Sequence, residues 1–105
     1  MNIAVIGAGS WGTALISVLS QKQKVSWWIR SNKNLEHIKK FKRNPSYLTN
    51  LTLNINNISL FNFIDDVLKS NDLIIVAIPS EFLFSTFNKM GSLLPFTLFT
   101  VEIVT

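Results

Sequence analysis

Cysteine is absent from the 105 residues, and His37 is the single histidine. The lack of cysteine excludes disulfides, thiolate metal sites and a cysteine nucleophile within this sequence. His37 has no second histidine or aspartate at ligand spacing, so a position on the surface of a helix is favoured over a metal-binding or catalytic role. We therefore predict no metal site.

Long apolar runs are also absent. The longest, Leu73–Pro79, has seven residues, whereas a membrane-spanning helix needs about 20. The apolar N-terminus lacks the basic region of a signal peptide. With 48% hydrophobic and 15% charged residues, the composition is typical of one globular domain, and we expect a cytoplasmic protein.

The net charge is +4, and much of the positive charge lies in one short run. A cluster of this kind either binds the phosphates of a nucleic acid or forms a solvated helix face. Because no recognised nucleic-acid-binding module surrounds it, we favour the solvated face and expect no nucleic-acid partner. The residues are Lys33, Lys39, Lys40, Lys42 and Arg43.

The most informative motif lies at the N-terminus, where the apolar segment Asn2–Ile6 leads into a G-x-G-x-x-G loop. In such a loop the first glycine allows a tight turn, the second lets the backbone approach a pyrophosphate, and the third lets the next helix lie close to the sheet. The N–H groups at the start of that helix favour an anion. A glycine-rich turn without a ligand is the alternative, but the flanking strand and helix favour a dinucleotide site. The candidate binding residues are Gly7, Gly9, Ser10, Trp11 and Gly12.

Further strands and helices alternate along the chain. After the first strand and the helix through Thr13–Leu19, strands are predicted at Lys24–Arg30, Ile58–Phe61, Asp72–Ile78 and Phe96–Val104. Helices are predicted from an Asn32 cap to about Phe41, from an Asn62 cap with Asp65 three residues later to near Ser70, and from a Ser80 cap through Glu81–Met90. A long extended loop is predicted over Asn44–Asn57. Helix capping and solvent exposure explain Asp65, Asp66 and Asp72 better than catalysis does.

This alternation predicts an α/β fold, a Rossmann-type doubly wound parallel sheet with right-handed crossovers. Ligands of such sheets bind at the carboxyl ends of the strands. Three segments are expected at that edge: the glycine loop, the Arg30 end of the second strand, and Ile78–Ser80.

Cofactor choice depends on the end of the second strand, where NAD-selective domains usually carry an acidic residue. Here the strand ends in Arg30, and no acid follows until Glu36. A guanidinium at this place pairs with the 2′-phosphate of NADP, with help from Ser31 or Lys33. Alternatively, Arg30 only closes the strand and stacks on adenine, which suits either cofactor. We predict NADP or NAD, with NADP slightly favoured.

Four motifs occur in a characteristic order: Gly7–Leu15, Trp28–Arg30, Asn44–Leu48 and Ala77–Ser80. Together they resemble the N-terminal cofactor-binding domain of bacterial NAD(P)-dependent glycerol-3-phosphate dehydrogenases. The resemblance implies reversible hydride transfer between the nicotinamide and C2 of glycerol 3-phosphate. The product is dihydroxyacetone phosphate, and the reaction stands at the entry to phospholipid synthesis.

The resemblance also implies roles for individual residues. Ser10 and Trp11 would contact the cofactor phosphates, and Arg30 would contact the adenosine end. Tyr47 would be a cofactor neighbour. Phe82 matches a position near the cofactor, although a buried position in a helix explains it equally well.

The sequence departs from the family pattern at two positions of the predicted Asn44–Asn57 loop: Thr49 and Asn54 occur where relatives often have proline. The resemblance further implies that residues 1–105 are one NAD(P)-binding domain, truncated before the helical substrate domain. That missing domain would hold the lysine base, so we assign no catalytic residue, and the full-length enzyme would be a homodimer. The alternatives are the cofactor lobe of another hydroxyacid dehydrogenase or ketopantoate-type reductase, and a nonenzymatic nucleotide-sensing module.

Overall fold

The computed structural model describes residues 2–69 and 71–78, together with the backbone of residues 98–100. Five parallel strands form one sheet in the order β3-β2-β1-β4-β5. In the central pairs, Ile3 lies opposite both Val25 and Leu73. The predicted parallel α/β sheet is therefore confirmed. The strands are β1 (Ile3–Ile6), β2 (Val25–Trp28), β3 (Ile58–Phe61), β4 (Leu73–Val76) and β5 (Leu98–Thr100).

Helices cover both faces of this sheet. Helices α1 (Ser10–Leu19) and α2 (Asn32–Phe41) pack on one face, and α3 (Ile64–Leu68) packs on the other. The side chains of β1 alternate between the two faces. Val5 belongs to the core cluster beside α1 and α2, whereas Ala4 and Ile6 belong to the cluster beside α3. Burial on both faces explains why β1 and β4 are continuous apolar runs.

The caps of two helices differ from the sequence predictions. Ser31, not Asn32, caps α2, because the extended backbone of Ser31 lets its Oγ accept a hydrogen bond from the Asn34 N–H at 3.2 Å. The predicted Asn62 cap of α3 is also wrong. Phe63 precedes that helix, and no described side chain caps it.

Residues 42 to 53, after α2, form a loop whose two ends are joined by a hydrogen bond; this segment is called the 42–53 loop. Lys42 ends the helix with a positive φ of 61°, and its carbonyl accepts a 2.8 Å hydrogen bond from the N–H of Leu53. Leu53 is 2% exposed and joins the core beside α1 and α2. The predicted loop over Asn44–Asn57 is thus largely confirmed, except that Ile55–Asn57 forms a short 3₁₀ helix.

The last third of the chain is described only in part. The predicted helix Glu81–Met90 and the segment Pro79–Ser80 lie outside the described residues. The predicted strand Phe96–Val104 is confirmed over the three residues of β5. None of the helices in the described residues combines the length and the apolar character that a membrane-spanning helix requires.

Candidate functional site

Two glycines of the N-terminal loop allow its backbone to touch neighbouring backbone. Gly7 has φ 121°, and a Cβ added there would collide with the carbonyl oxygen of Ala77, just beyond β4. A Cβ on Gly12 would collide with the carbonyl oxygen of Gly7. The structure therefore shows a tight turn at Gly7 and close contact of α1 with the loop at Gly12, as the spacing predicts.

Gly9 has different surroundings. Apart from Gly9 itself and its chain neighbours Ala8 and Ser10, no heavy atom of the described residues lies within 4 Å of a Cβ built there. Gly9 is also the N-cap residue of α1, where no described side chain forms a capping hydrogen bond and the first turn has no acidic residue. Open space beside the positive end of a helix fits the phosphates of a dinucleotide. The exposed Ser10 and Trp11 border this space, Trp11 being 51% exposed.

A buried tryptophan of β2 holds the first peptide of the glycine loop. Trp27 is 0% exposed, and its Nε1–H donates a 2.7 Å hydrogen bond to the carbonyl oxygen of Gly7. The N–H of Gly7 in turn donates to the carbonyl of Trp28 at 3.2 Å. Strand β2 thus fixes the chain at the point where it leaves β1.

A buried asparagine connects the glycine loop with the 42–53 loop. Asn44 is 2% exposed, and its Nδ2 donates to the carbonyl of Ala8 at 3.0 Å and to Oγ1 of Thr13 at 2.9 Å. Its Oδ1 accepts from the N–H groups of Ser46 at 2.9 Å and Tyr47 at 3.1 Å. One side chain therefore bonds to both loops.

The 42–53 loop presents two large side chains to solvent. Tyr47 is 47% exposed and Leu48 is 45% exposed, and Leu48 has a positive φ of 49°. Because Asn44 bonds both to the Tyr47 N–H and to Ala8, the structure places the backbone of Tyr47 close to the glycine loop. The role of its side chain as a cofactor neighbour stays a prediction.

Arg30 lies two residues beyond β2 and is exposed. It stands at the same sheet edge as the glycine loop, because Ile6 and Trp28 end their strands in register. At this edge, beyond β2 and β3, a cleft of about 320 Å³ is lined by Trp28, Asn62, Phe63, Ile64 and Asp65. The contact of Arg30 with the adenosine end of the cofactor stays a prediction. Phe82 lies outside the described residues.

The remaining polar residues considered in the sequence analysis are the basic run, His37 and three aspartates. All five residues of the basic run are exposed, which agrees with a solvated surface. The His37 ring contacts the Phe41 ring in a tilted arrangement, with 4.7 Å between centroids and 45° between planes. The described residues contain no group of three metal-ligating side chains. Asp72 accepts a hydrogen bond from the Asn2 N–H at 2.9 Å through Oδ2, and Asp65 and Asp66 lie in the first turn of α3.

Trp27, Asn44 and Thr13 have roles at this site that the sequence did not reveal. An asparagine before a proline favours a side-chain turn, so Asn44 had a local signal for its bonds to Ser46 and Tyr47. Its bonds to Ala8 and Thr13 cross more than thirty residues of sequence. The Trp27 bond to Gly7 joins residues that are twenty positions apart, and no local sequence pattern predicts it.

A doubly wound parallel sheet with this glycine loop defines a dinucleotide-binding domain of the Rossmann type. The model of the family described as NAD-dependent glycerol-3-phosphate dehydrogenase N-terminus matches residues 2–104. The chain belongs to this family, so membership of a ketopantoate reductase family is not supported.

Individual proteins agree with this assignment. A glycerol-3-phosphate dehydrogenase [NAD(P)+] of Nitrosomonas europaea is 36% identical over 95 residues, which are 90% of this chain and 29% of that protein. The crystal structure of glycerol-3-phosphate dehydrogenase from Coxiella burnetii superposes with a TM-score of 0.83 at 27% identity, covering 96% of this chain and 31% of that one. The yeast enzyme shares the fold, with a TM-score of 0.84 at 22% identity over 100% of this chain and 33% of that one. The chain thus spans about a third of the length of these proteins.

Proposed function

We propose that this chain is the cofactor-binding part of an NAD(P)-dependent glycerol-3-phosphate dehydrogenase. The observation that carries the proposal is the space at Gly9 that no described residue beyond its chain neighbours fills, beside a helix N-terminus that no described side chain caps. Gly7 and Gly12 support it, because each permits a backbone contact that a side chain would block. The result is a concave loop that suits a pyrophosphate.

In this proposal each part of the described site holds one part of the cofactor. The backbone at Gly9, with Ser10 and Trp11, binds the phosphates. Arg30, exposed at the same edge, binds the adenosine end, and its guanidinium favours the 2′-phosphate of NADP. Tyr47 borders the cofactor from the 42–53 loop. Phe82 is proposed as a further neighbour on family resemblance alone.

The reaction we propose is sn-glycerol 3-phosphate + NAD(P)⁺ ⇌ dihydroxyacetone phosphate + NAD(P)H + H⁺, which feeds glycerophospholipid synthesis in the cytoplasm. The cofactor, when bound, supplies the site that accepts or donates the hydride. The described residues bind and orient it, and we assign no catalytic residue to them. In this proposal the base and the substrate-phosphate ligands belong to the part of the relatives that this chain does not span, and the full-length enzyme is a homodimer.

Cofactor binding is tested by calorimetric titration of the 105-residue chain with NADPH and with NADH. We expect saturable binding with one site. Gly9→Ala serves as the matched variant, because the added methyl group occupies the space assigned to the phosphates and lies within 4 Å of no described residue beyond its chain neighbours. Absence of binding by the folded chain would reject the proposal.

The dehydrogenase assignment is tested in a chimera. The matched 95 residues of the Nitrosomonas europaea relative are replaced by the corresponding part of this chain, and oxidation of NADPH is followed with dihydroxyacetone phosphate. We expect oxidation that depends on this substrate and that Gly9→Ala abolishes. A folded chimera that binds NADPH without oxidising it would favour a nucleotide-sensing module instead.

A further inference from the structure

Asn44 uses its side chain to join two separate pieces of the site. The Oδ1 acceptor serves its own loop through Ser46 and Tyr47, whereas the Nδ2 donor serves the glycine loop and α1 through Ala8 and Thr13. Both halves of the amide are therefore occupied, at a residue that is only 2% exposed. A buried, fully bonded amide of this kind has a single orientation.

The ends of the 42–53 loop are held together by hydrogen bonds that do not involve Asn44. The Leu53 N–H bonds to the carbonyl of Lys42 at 2.8 Å, and Leu53 is buried in the core. Within the loop, the Leu51 N–H bonds to the carbonyl of Leu48 at 2.9 Å. The contribution specific to Asn44 is the link from this loop to Ala8 and Thr13.

The bond to Ala8 has a consequence for its neighbour. The carbonyl of Ala8 and the N–H of Gly9 belong to one peptide group, which is planar and trans. When Asn44 holds the Ala8 oxygen, the Gly9 N–H is fixed in the opposite direction. Gly9 borders the space that the proposed function assigns to the phosphates, so the orientation of its N–H affects how the loop binds a phosphate.

We infer that Asn44 is a positioning residue for the cofactor, which orients the Gly9 N–H and holds the Tyr47 segment at the glycine loop. The inference rests on the proposed function, because it concerns the same cofactor site. Asn44 does not itself contact the cofactor in this account. It acts through the Ala8–Gly9 peptide and through the backbone of Tyr47, so that both are in place before the ligand arrives.

The test compares four substitutions in the 105-residue chain. Asn44→Asp keeps the Oδ1-type acceptors for Ser46 and Tyr47 but cannot donate to Ala8 or Thr13 at neutral pH. Asn44→Ala removes all four bonds, and Thr13→Val removes one acceptor with little change of shape. We expect Asn44→Asp and Asn44→Ala to weaken NADPH binding by about tenfold or more, with a smaller loss for Thr13→Val that Thr13→Ser largely restores.

A matched control separates positioning from stability. Asn57 donates a 2.7 Å hydrogen bond through Nδ2 to the carbonyl of Ser20, at the opposite end of α1 from Gly9. We expect Asn57→Ala to lower the melting temperature while the Kd for NADPH changes by less than about twofold. Titrations are made at a temperature at which every variant is folded.

A second readout needs no ligand. We expect the amide resonance of Gly9 in ¹⁵N spectra to shift in Asn44→Asp and Asn44→Ala and to remain in place in Asn57→Ala. If the Asn44 variants bind NADPH as tightly as the unaltered chain, Asn44 has no positioning role, while the proposed function stands. If the unaltered chain binds no NADPH, the proposed function fails and the role of Asn44 fails with it.

Discussion

The indole of Trp27 donates a 2.7 Å hydrogen bond to the carbonyl oxygen of Gly7, and both residues are buried. Together with the Asn44 bond to Ala8, this contact means that side chains from two other segments hold consecutive peptides of the glycine loop. The loop is therefore fixed by the rest of the domain, although it consists of small residues. Preorganisation of this kind reduces the entropy lost when a ligand binds.

We expect Trp27→Phe to lower the free energy of unfolding by about 1–3 kcal/mol more than Trp28→Phe does, because the Gly7 carbonyl is left buried without this donor. Trp28 is the matched control. Its indole donates to the Asn62 carbonyl at 3.1 Å, in a partly buried position that water reaches. Urea unfolding of the two variants checks the difference, and equal losses would show that the Gly7 bond contributes little.

Substitution of the three loop glycines by alanine separates folding from binding. Gly7→Ala and Gly12→Ala place a Cβ against backbone oxygen atoms, and we expect each to lower the free energy of unfolding by about 2 kcal/mol or more. The methyl group of Gly9→Ala lies within 4 Å of no described residue beyond its chain neighbours, so we expect its stability loss to stay within about 1 kcal/mol. Its defect appears in NADPH titrations. An unstable Gly9→Ala variant, or one with normal affinity, would contradict the assignment.

Arg30 decides the preference between the two cofactors if it binds the 2′-phosphate. We then expect Arg30→Ala to weaken NADPH binding by about tenfold, corresponding to about 1.4 kcal/mol, and NADH binding much less. Lys39→Ala, at an exposed lysine of α2 to which no role in cofactor binding is assigned, is the control for general loss of positive charge. Equal losses for both cofactors in Arg30→Ala would mean that the side chain only stacks or closes the strand.

The caps of α2 and α3 give a further pair of predictions. Ser31→Ala removes the hydrogen bond from the Asn34 N–H, and we expect a loss of about 1 kcal/mol in the free energy of unfolding. Asn62→Ala is expected to change it by less than about 0.5 kcal/mol, because the structure gives its exposed side chain no capping role. Thermal or urea unfolding distinguishes these values. A larger effect at Asn62 would restore the cap predicted from sequence.

The sequence predicted those features that depend on local pattern. Apolar runs identified β1, β2, β3 and β4, and the glycine spacing identified the turn and the close approach of α1. Capping residues were less predictable. Ser31 and Asn32 are both residue types that cap helices well, and Ser31 is the cap because its backbone is extended. The Ile55–Asn57 helix has no strong local signal. Asn44 and Trp27 were missed because their partners are distant in sequence.

The sheet order changes direction at β1, since β2 and β3 lie to one side and β4 and β5 to the other. At such a switch point, open α/β sheets form the crevice that receives a ligand. Here Gly7 and Ala77 meet at that position through backbone atoms, so close that no Cβ fits on Gly7. The floor of the crevice is therefore made of main chain. Surface side chains can diverge among relatives that share only 36% or 27% identity with this chain while that floor keeps its shape.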